Sequence, residues 1–405
     1  MSPDLVVTGM GVISSIGQGK ASFIGNLLNG DSTFDVMRRP GRMRESSYIG
    51  AEIDEIVFRS AISKQVQRAA SLSAKAALVV LQEAWEEANL SEIDPNRVGL
   101  VVGGSNVQQR EITQLQNDYR ERLIFLKPSY ALSFMDSDIC GFCTSQFGIR
   151  GFAYTVGGAS ASGQLAIIHA AQAVLAGQVD VCIALGSLMD LSYWECHALR
   201  TIGAMGSDRY ANDPTLACRP FDRNHDGFIF GEASGAIVVE SARSSEKRKV
   251  KSYASLRGWA IAMDANRNPD PSFDGESRAI LDAMQMAEWF PEQIDYINPH
   301  GTGSVIGDEI ELKVLRSCGL TSAFLNATKS LIGHGLSAAG TVEVIATLLQ
   351  MKAARLHPTR NLENPIDSGF NWVGQTSVSH QIENALTLSM GFGGINTAMC
   401  WQRQP

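Results

Sequence analysis

No run of about eighteen consecutive apolar residues occurs in this chain, so a membrane-spanning helix is not expected. Cysteine is sparse: seven residues, scattered and odd in number. That argues against a disulfide framework and for a reducing compartment such as the cytoplasm. Only Cys140 and Cys143 stand close together, and a lone CxxC without flanking histidines is a weak metal or redox signal. Positive charge is also short, with 34 basic residues against 42 acidic ones and a net charge of −8. No global cationic field invites nucleic acid, and an acidic partner must be met by a local basic patch. The opening residues, Met1-Ser2-Pro3-Asp4-Leu5-Val6-Val7, lack a basic region followed by an apolar stretch, so no secretory leader is expected. Low-complexity tracts and heptad arrays are missing as well.

What is present is an ordinary α/β pattern of 405 residues, enough to bury a substantial core. Leu5–Val12, Val98–Gly104, Val179–Ser187 and Gly235–Glu240 read as buried strands. Residues from about Gln67 to Asn89 have helical spacing and good helix formers, which predicts one long helix. Ser241 to Lys251 is polar and basic and is the best candidate hinge. Beyond it the grammar repeats. Ile294–Gly303 echoes Val98–Asn106 as a strand opening onto a glycine-rich turn, a helix is expected at Ser337–Ala353, and Ala385–Met399 reads as strand, glycine turn, strand. Strands alternating with helices predict α/β layers in two similar halves, 1–245 and 246–405.

Chemistry is suggested first by Tyr154-Thr155-Val156-Gly157-Gly158-Ala159-Ser160-Ala161-Ser162-Gly163, which runs into an alanine-rich segment. A strand, a glycine turn and a helix start would set Ser160 where backbone N–H groups and the helix dipole favour negative charge. Four further segments follow in order: Phe221–Gly235; Asn298-Pro299-His300-Gly301-Thr302-Gly303-Ser304 with Gly307–Glu311; Lys329–Gly340, containing His334; and Gly391-Phe392-Gly393-Gly394-Ile395-Asn396. Alone, either histidine would more often be structural. The turn at Gly393 lacks the Lys-Ser/Thr of a phosphate loop.

In this order and spacing the five segments resemble the β-ketoacyl synthases of the thiolase superfamily, across essentially the whole chain. The resemblance implies a thiolase fold: a five-layered α-β-α-β-α core of two pseudo-equivalent halves, the first carrying Ser160 and the second His300 and His334. It also implies a homodimer, an acyl carrier protein as partner, and a substrate carried on that protein's phosphopantetheine with no cofactor bound directly. Asp222, His225 and Asp226, which look like a metal cluster, match a structural loop of the family. At the nucleophile the chain departs from the pattern. Condensing synthases carry cysteine at the position of Ser160, flanked by histidines matching His300 and His334. Serine with both histidines kept is similar to the free-standing ketosynthase-like decarboxylases of polyketide β-branching cassettes, which convert malonyl-acyl carrier protein to acetyl-acyl carrier protein.

Condensation needs a covalent acyl-enzyme, which a low-pKa thiol supplies and a hydroxyl supplies poorly. Loss of carbon dioxide from a malonyl thioester asks mainly for donors at the enolate oxygen. The resemblance assigns such donors to His300 and His334, and the oxyanion hole to the backbone N–H groups of Ser160 and Phe392. It has Lys329 and Glu343 orient and tune His334, makes Phe392 an aromatic gate, and places Glu343, Gly391 and Gly393 among the substrate-binding residues. Thr302 and Ser304 match hydroxyls on the pantetheine arm, while Asp308 and Glu311 are read as structural. Arg59, Lys64 and Arg68, near where the resemblance places carrier binding, are the candidate local basic dock for an acidic carrier. Two other classes stay open: a serine-dependent acyltransferase or condensing enzyme, and a non-catalytic chain-length-factor-like subunit. Retention of both histidines and Lys329 argues against the second.

Overall fold

The computed structural model describes residues 4–44 and 46–404. Met1–Pro3, part of the stretch read as lacking a leader, lies outside them, as do Glu45 and Pro405, the chain's last residue. The first half contributes five main strands to the sheet: β1 (Leu5–Ser14), β2 (Val98–Gly103), β3 (Phe152–Val156), β4 (Val181–Gly186) and β5 (Ala233–Ser241). Their spatial order is β3-β2-β4-β5-β1, and β5 runs antiparallel to both its neighbours. The second half contributes β6 (Ala254–Met263), β7 (Tyr296–Asn298), β8 (Phe324–Leu325), β9 (Asn384–Gly391) and β10 (Ile395–Arg403). These repeat the scheme as β8-β7-β9-β10-β6, again with the fifth strand antiparallel to its neighbours. Two residue pairs between β1 and β6, Leu5 with Leu256 and Val6 with Ser255, join the halves into one continuous sheet.

Helices complete the five layers. On the outer face of the first half, α1 (Lys64–Ala69) leads into α2 (Leu72–Glu87), which packs on β1 and β5. Between the sheets lie α3 (Ser162–Leu175), which follows β3, and α8 (Ala339–Ala353), which follows β8. Both are buried nearly all round, which explains why their sequences are apolar on every face. They touch where a side chain cannot fit: a Cβ on Gly163 would sit 2.6 Å from the Thr341 nitrogen, and one on Gly340 2.7 Å from the Gln164 nitrogen. Elsewhere α4 (Tyr193–Thr201) follows β4, α5 (Ala242–Arg248) links β5 to β6, and α6 (Phe273–Ala287) and α7 (Val305–Ser317) cover the second half. No described helix is long and apolar enough to cross a membrane.

Two expectations need correction. The long helix at Gln67–Asn89 is broken, because Ala70 is extended and the Ser71 hydroxyl accepts the Ala74 N–H, starting a new helix. The Ser241–Lys251 segment is no loose hinge. Ser241 caps α5, and Arg248 reaches back to pair with the buried Glu240.

Candidate active site

The strand-turn-helix around Ser160 forms as its sequence suggests, with one added strain. Ser160 is the middle residue of a single 3-10 turn, Ala159–Ala161, between β3 and α3. Ala159 has φ of 47°, a left-handed conformation that costs an alanine roughly 1–2 kcal/mol. The turn is held down by the β9–β10 loop, where a Cβ on Gly391 would come within 2.2 Å of the Gly158 oxygen. Ser389 Oγ also donates to the Ser160 carbonyl at 3.0 Å.

Ser160 Oγ lies 2.9 Å from His334 Nε2. The His334 ring meets the His300 ring edge-on, with centroids 5.4 Å apart, and meets Phe228 likewise at 5.2 Å. His334 is fixed through its backbone, donating to the Ile229 carbonyl at 2.7 Å and accepting from Gly231 at 3.1 Å. The loop carrying His300 is fixed by acids on α7. Glu311 accepts the N–H groups of His300 and Gly301 at 2.6 and 2.8 Å, and Asp308 accepts those of Thr302 and Gly303, both at 3.1 Å. Burial, and then the charge of Lys329, push the pKa values of both histidines well below the ordinary range. Both imidazoles are therefore neutral.

Lys329 and Glu343 are placed differently from the expectation. They form an ion pair at 2.5 Å, with side chains 1% and 2% exposed. Lys329 also donates at 2.5 Å to the His300 carbonyl rather than to His334. Its effect on His334 is through charge alone. Burial raises the Glu343 carboxyl to about 7, against the pull of Lys329. Neither residue lines the cavity, so the reading of Glu343 as a substrate contact is corrected: it stands behind Lys329.

The cavity itself holds about 400 Å³. Ser160, His300, His334, Thr302, Ser304, Gly391 and Phe392 line it together, and Gly393 does not. Gly393, with φ of 92°, shapes the turn behind Phe392 instead. Phe392 is 42% exposed. Met189, Leu191, Leu199, Phe228 and Leu336 make one end apolar, while Asp264, Asn268, Glu276 and Asn396 add polar groups elsewhere. Ser304 has a second task, because its Oγ accepts the Gly307 N–H and caps α7. Arg59, Lys64 and Arg68 are exposed around α1 and none lines the cavity; Arg59 pairs with Glu86. Asp222 is occupied by Arg219 and by the N–H groups of Asn224, Glu363 and Asn364. Cys140 and Cys143 are free and buried.

Residues 2–245 match the family model of the β-ketoacyl synthase N-terminal domain, and residues 253–363 that of its C-terminal domain. The chain belongs to the β-ketoacyl synthase family. It is 61% identical over 400 residues to the polyketide biosynthesis malonyl-ACP decarboxylase PksF of Bacillus subtilis (strain 168), covering 99% of this chain and 96% of that one. It is 31% identical over 407 residues to 3-oxoacyl-[acyl-carrier-protein] synthase 1 of Haemophilus influenzae, covering 98% of each. Among solved structures, a β-ketoacyl synthase from Burkholderia phymatum superposes over the full length of both chains with a TM-score of 0.89 at 23% identity. A ketosynthase complex with its type II polyketide acyl carrier protein gives 0.88 at 24%. These likenesses fix the thiolase fold.

Within this β-ketoacyl synthase frame, Glu276 went unremarked in the sequence. A signal was available, because Glu276 stands in register with Ala279, Ile280, Ala283 and Ala287 on the buried stripe of α6. A charged residue on such a stripe calls for a reason.

Proposed function

We propose that this chain decarboxylates malonyl-acyl carrier protein to acetyl-acyl carrier protein in polyketide biosynthesis, without condensation. The observation that carries this reading is a hydroxyl, not a thiol, bonded to His334 in a cavity that keeps two neutral imidazoles. Identity of 61% to a protein named a malonyl-ACP decarboxylase supports it.

In the reaction the bond from C2 to the carboxylate carbon breaks and carbon dioxide leaves. The electron pair passes into the thioester enolate, and a proton from water or a site group then reaches C2. Charge develops on the thioester oxygen, where N–H donors from His300 and His334 each contribute about 2.7–4 kcal/mol. The backbone N–H groups of Ser160 and Phe392 form a separate oxyanion hole. Burial keeps the imidazoles neutral, with the charge of Lys329 adding to it, and Lys329 steadies the His300 loop through the carbonyl. Thr302 and Ser304 flank the phosphopantetheine arm, and Phe392 gates the cavity between Gly391 and Gly393. Arg59, Lys64 and Arg68 receive the acidic carrier. We further read the chain as halves 1–245 and 246–405, supported by the repeated strand order, and as a cytoplasmic homodimer. The free edge of β3 and the exposed Leu123, Ile124, Phe125 and Phe134 support a second copy.

One observation favours a second reading. A serine 2.9 Å from a neutral imidazole is also how an activated nucleophile stands, which would allow acyl transfer or condensation through an acyl-serine. Intact-mass analysis of malonyl-carrier incubated with the protein separates these. The decarboxylase yields acetyl-carrier and unmodified enzyme, and His300→Ala slows formation of the product about 10²–10³-fold. An acyl adduct on Ser160 would establish the second reading. Malonyl-carrier left intact would overturn both and favour the non-catalytic, chain-length-factor-like subunit.

A further inference from the structure

One polar group in the cavity is used by nothing described so far. Glu276, in the first turn of α6, lines the cavity yet is only 2% exposed. Its Oε2 finds no hydrogen-bond partner among the described residues. Leaving a buried carboxyl unpaired costs a fold stability, and an apolar side chain of similar shape would avoid that cost. The neighbours do not relieve it. Asp264 comes from the end of β6 and Glu311 from α7, both acidic, and no cation pairs with Glu276 among the described residues. Burial and then these two carboxyls raise its pKa well above the usual carboxylate range. A protonated carboxyl is an O–H donor in search of an acceptor. It sits between two loops of the site: Asp264 accepts from Asn396 at 2.8 Å beside the β9–β10 turn, and Glu311 holds the His300 loop.

Resting on the reading of the substrate as a carrier-bound thioester, we propose that Glu276 recognises the arm, donating a hydrogen bond to an amide carbonyl of the pantetheine. The arm carries secondary amides and must pass the hydroxyls of Thr302 and Ser304, and Glu276 supplies the buried donor for one of its carbonyls. It positions the thioester without touching the reacting atoms.

The test compares Glu276→Met, which keeps the volume and removes the donor, with Glu276→Gln, which keeps a donor. Acetyl-pantetheine binding is measured by calorimetry, malonyl-pantetheine turnover by release of carbon dioxide, and thermal stability alongside. Glu276→Met should melt higher than the parent. It should weaken acetyl-pantetheine binding and raise KM about three- to tenfold with kcat little changed, as expected for one lost hydrogen bond. Glu276→Gln should restore binding to within about twofold of the parent. Unchanged binding in the Met variant, or a melting point that falls in both variants, would overturn the assignment. Because acetyl-pantetheine binding needs no decarboxylation, a parent protein that binds it but releases no carbon dioxide condemns the functional reading and leaves this one standing.

Discussion

The two central helices begin alike and end up with opposite duties. Each is entered through a 3-10 turn with serine in the middle and a left-handed first residue, Ala159 with φ of 47° and Leu336 with φ of 49°. Gly163 and Gly340 follow at equivalent places and pack against the facing helix. Ser160 faces the cavity and His334, whereas Ser337 is buried and donates to the Ser187 carbonyl at 2.8 Å. The repeated topology thus duplicates a device for presenting a side chain. What faces each copy decides whether it does chemistry or packing. In the second half the cavity is met instead by His334, just ahead of this turn, and by His300.

The sharpest way to break this asymmetry is at Lys329. Lys329→Met leaves Glu343 buried without its cation and should cost about 3–5 kcal/mol of stability, which denaturant titration would measure. Adding Glu343→Leu should recover most of that loss. The double variant then reads the electrostatic role, since both imidazoles lose the charge that adds to burial in holding them neutral. In the parent, kcat/KM should stay flat as pH falls through 6.5, because the folded histidines take up protons only well below that value. In the double variant the acid limb should move upward toward it. A parent profile that already falls near 6.5 would contradict neutral, buried imidazoles.

Next come the histidines themselves: His300→Ala should lower kcat about 10²–10³-fold in the mass-based assay with little change in melting temperature. The paired serines give a smaller effect that tests the comparison directly. Ser337→Ala should cost about 1–3 kcal/mol of stability and leave kcat unchanged, since it removes a buried donor remote from the substrate. Ser160→Ala should leave stability nearly unaltered and keep decarboxylation within about tenfold. Loss of turnover in that variant would point to an acyl-serine. Smallest is the surface: reversing charge at Arg59, Lys64 and Arg68 should raise KM severalfold for malonyl-carrier and leave malonyl-pantetheine unaffected.

Much of this was legible because it is local. The run Val98–Gly104 is apolar throughout and can only be a buried strand, and the glycines before Ser160 announce a turn. Motif order carried the family and, through it, the layers. Long-range facts were not legible. Nothing near Lys329 tells that it reaches the His300 carbonyl, and nothing near Gly163 tells that Gly340 lies against it. Ser71 as a helix start was readable and was outweighed by the good helix formers around it. Ser241 and Arg248 tie down a segment whose polarity alone suggests slack, because the partner of Arg248 is the buried Glu240.

The position of α8 has a consequence for synthesis on the ribosome. By Ser241 all five strands of the first half have emerged, and α3 with them. The inner faces of β4 and β5 nonetheless wait for α8, which packs on both and is made only when Ala339–Ala353 appears. Until then a nascent chain carries an uncovered apolar surface, the kind that draws chaperones and invites wrong partners. Slowing translation between the two halves should therefore increase aggregation rather than help folding.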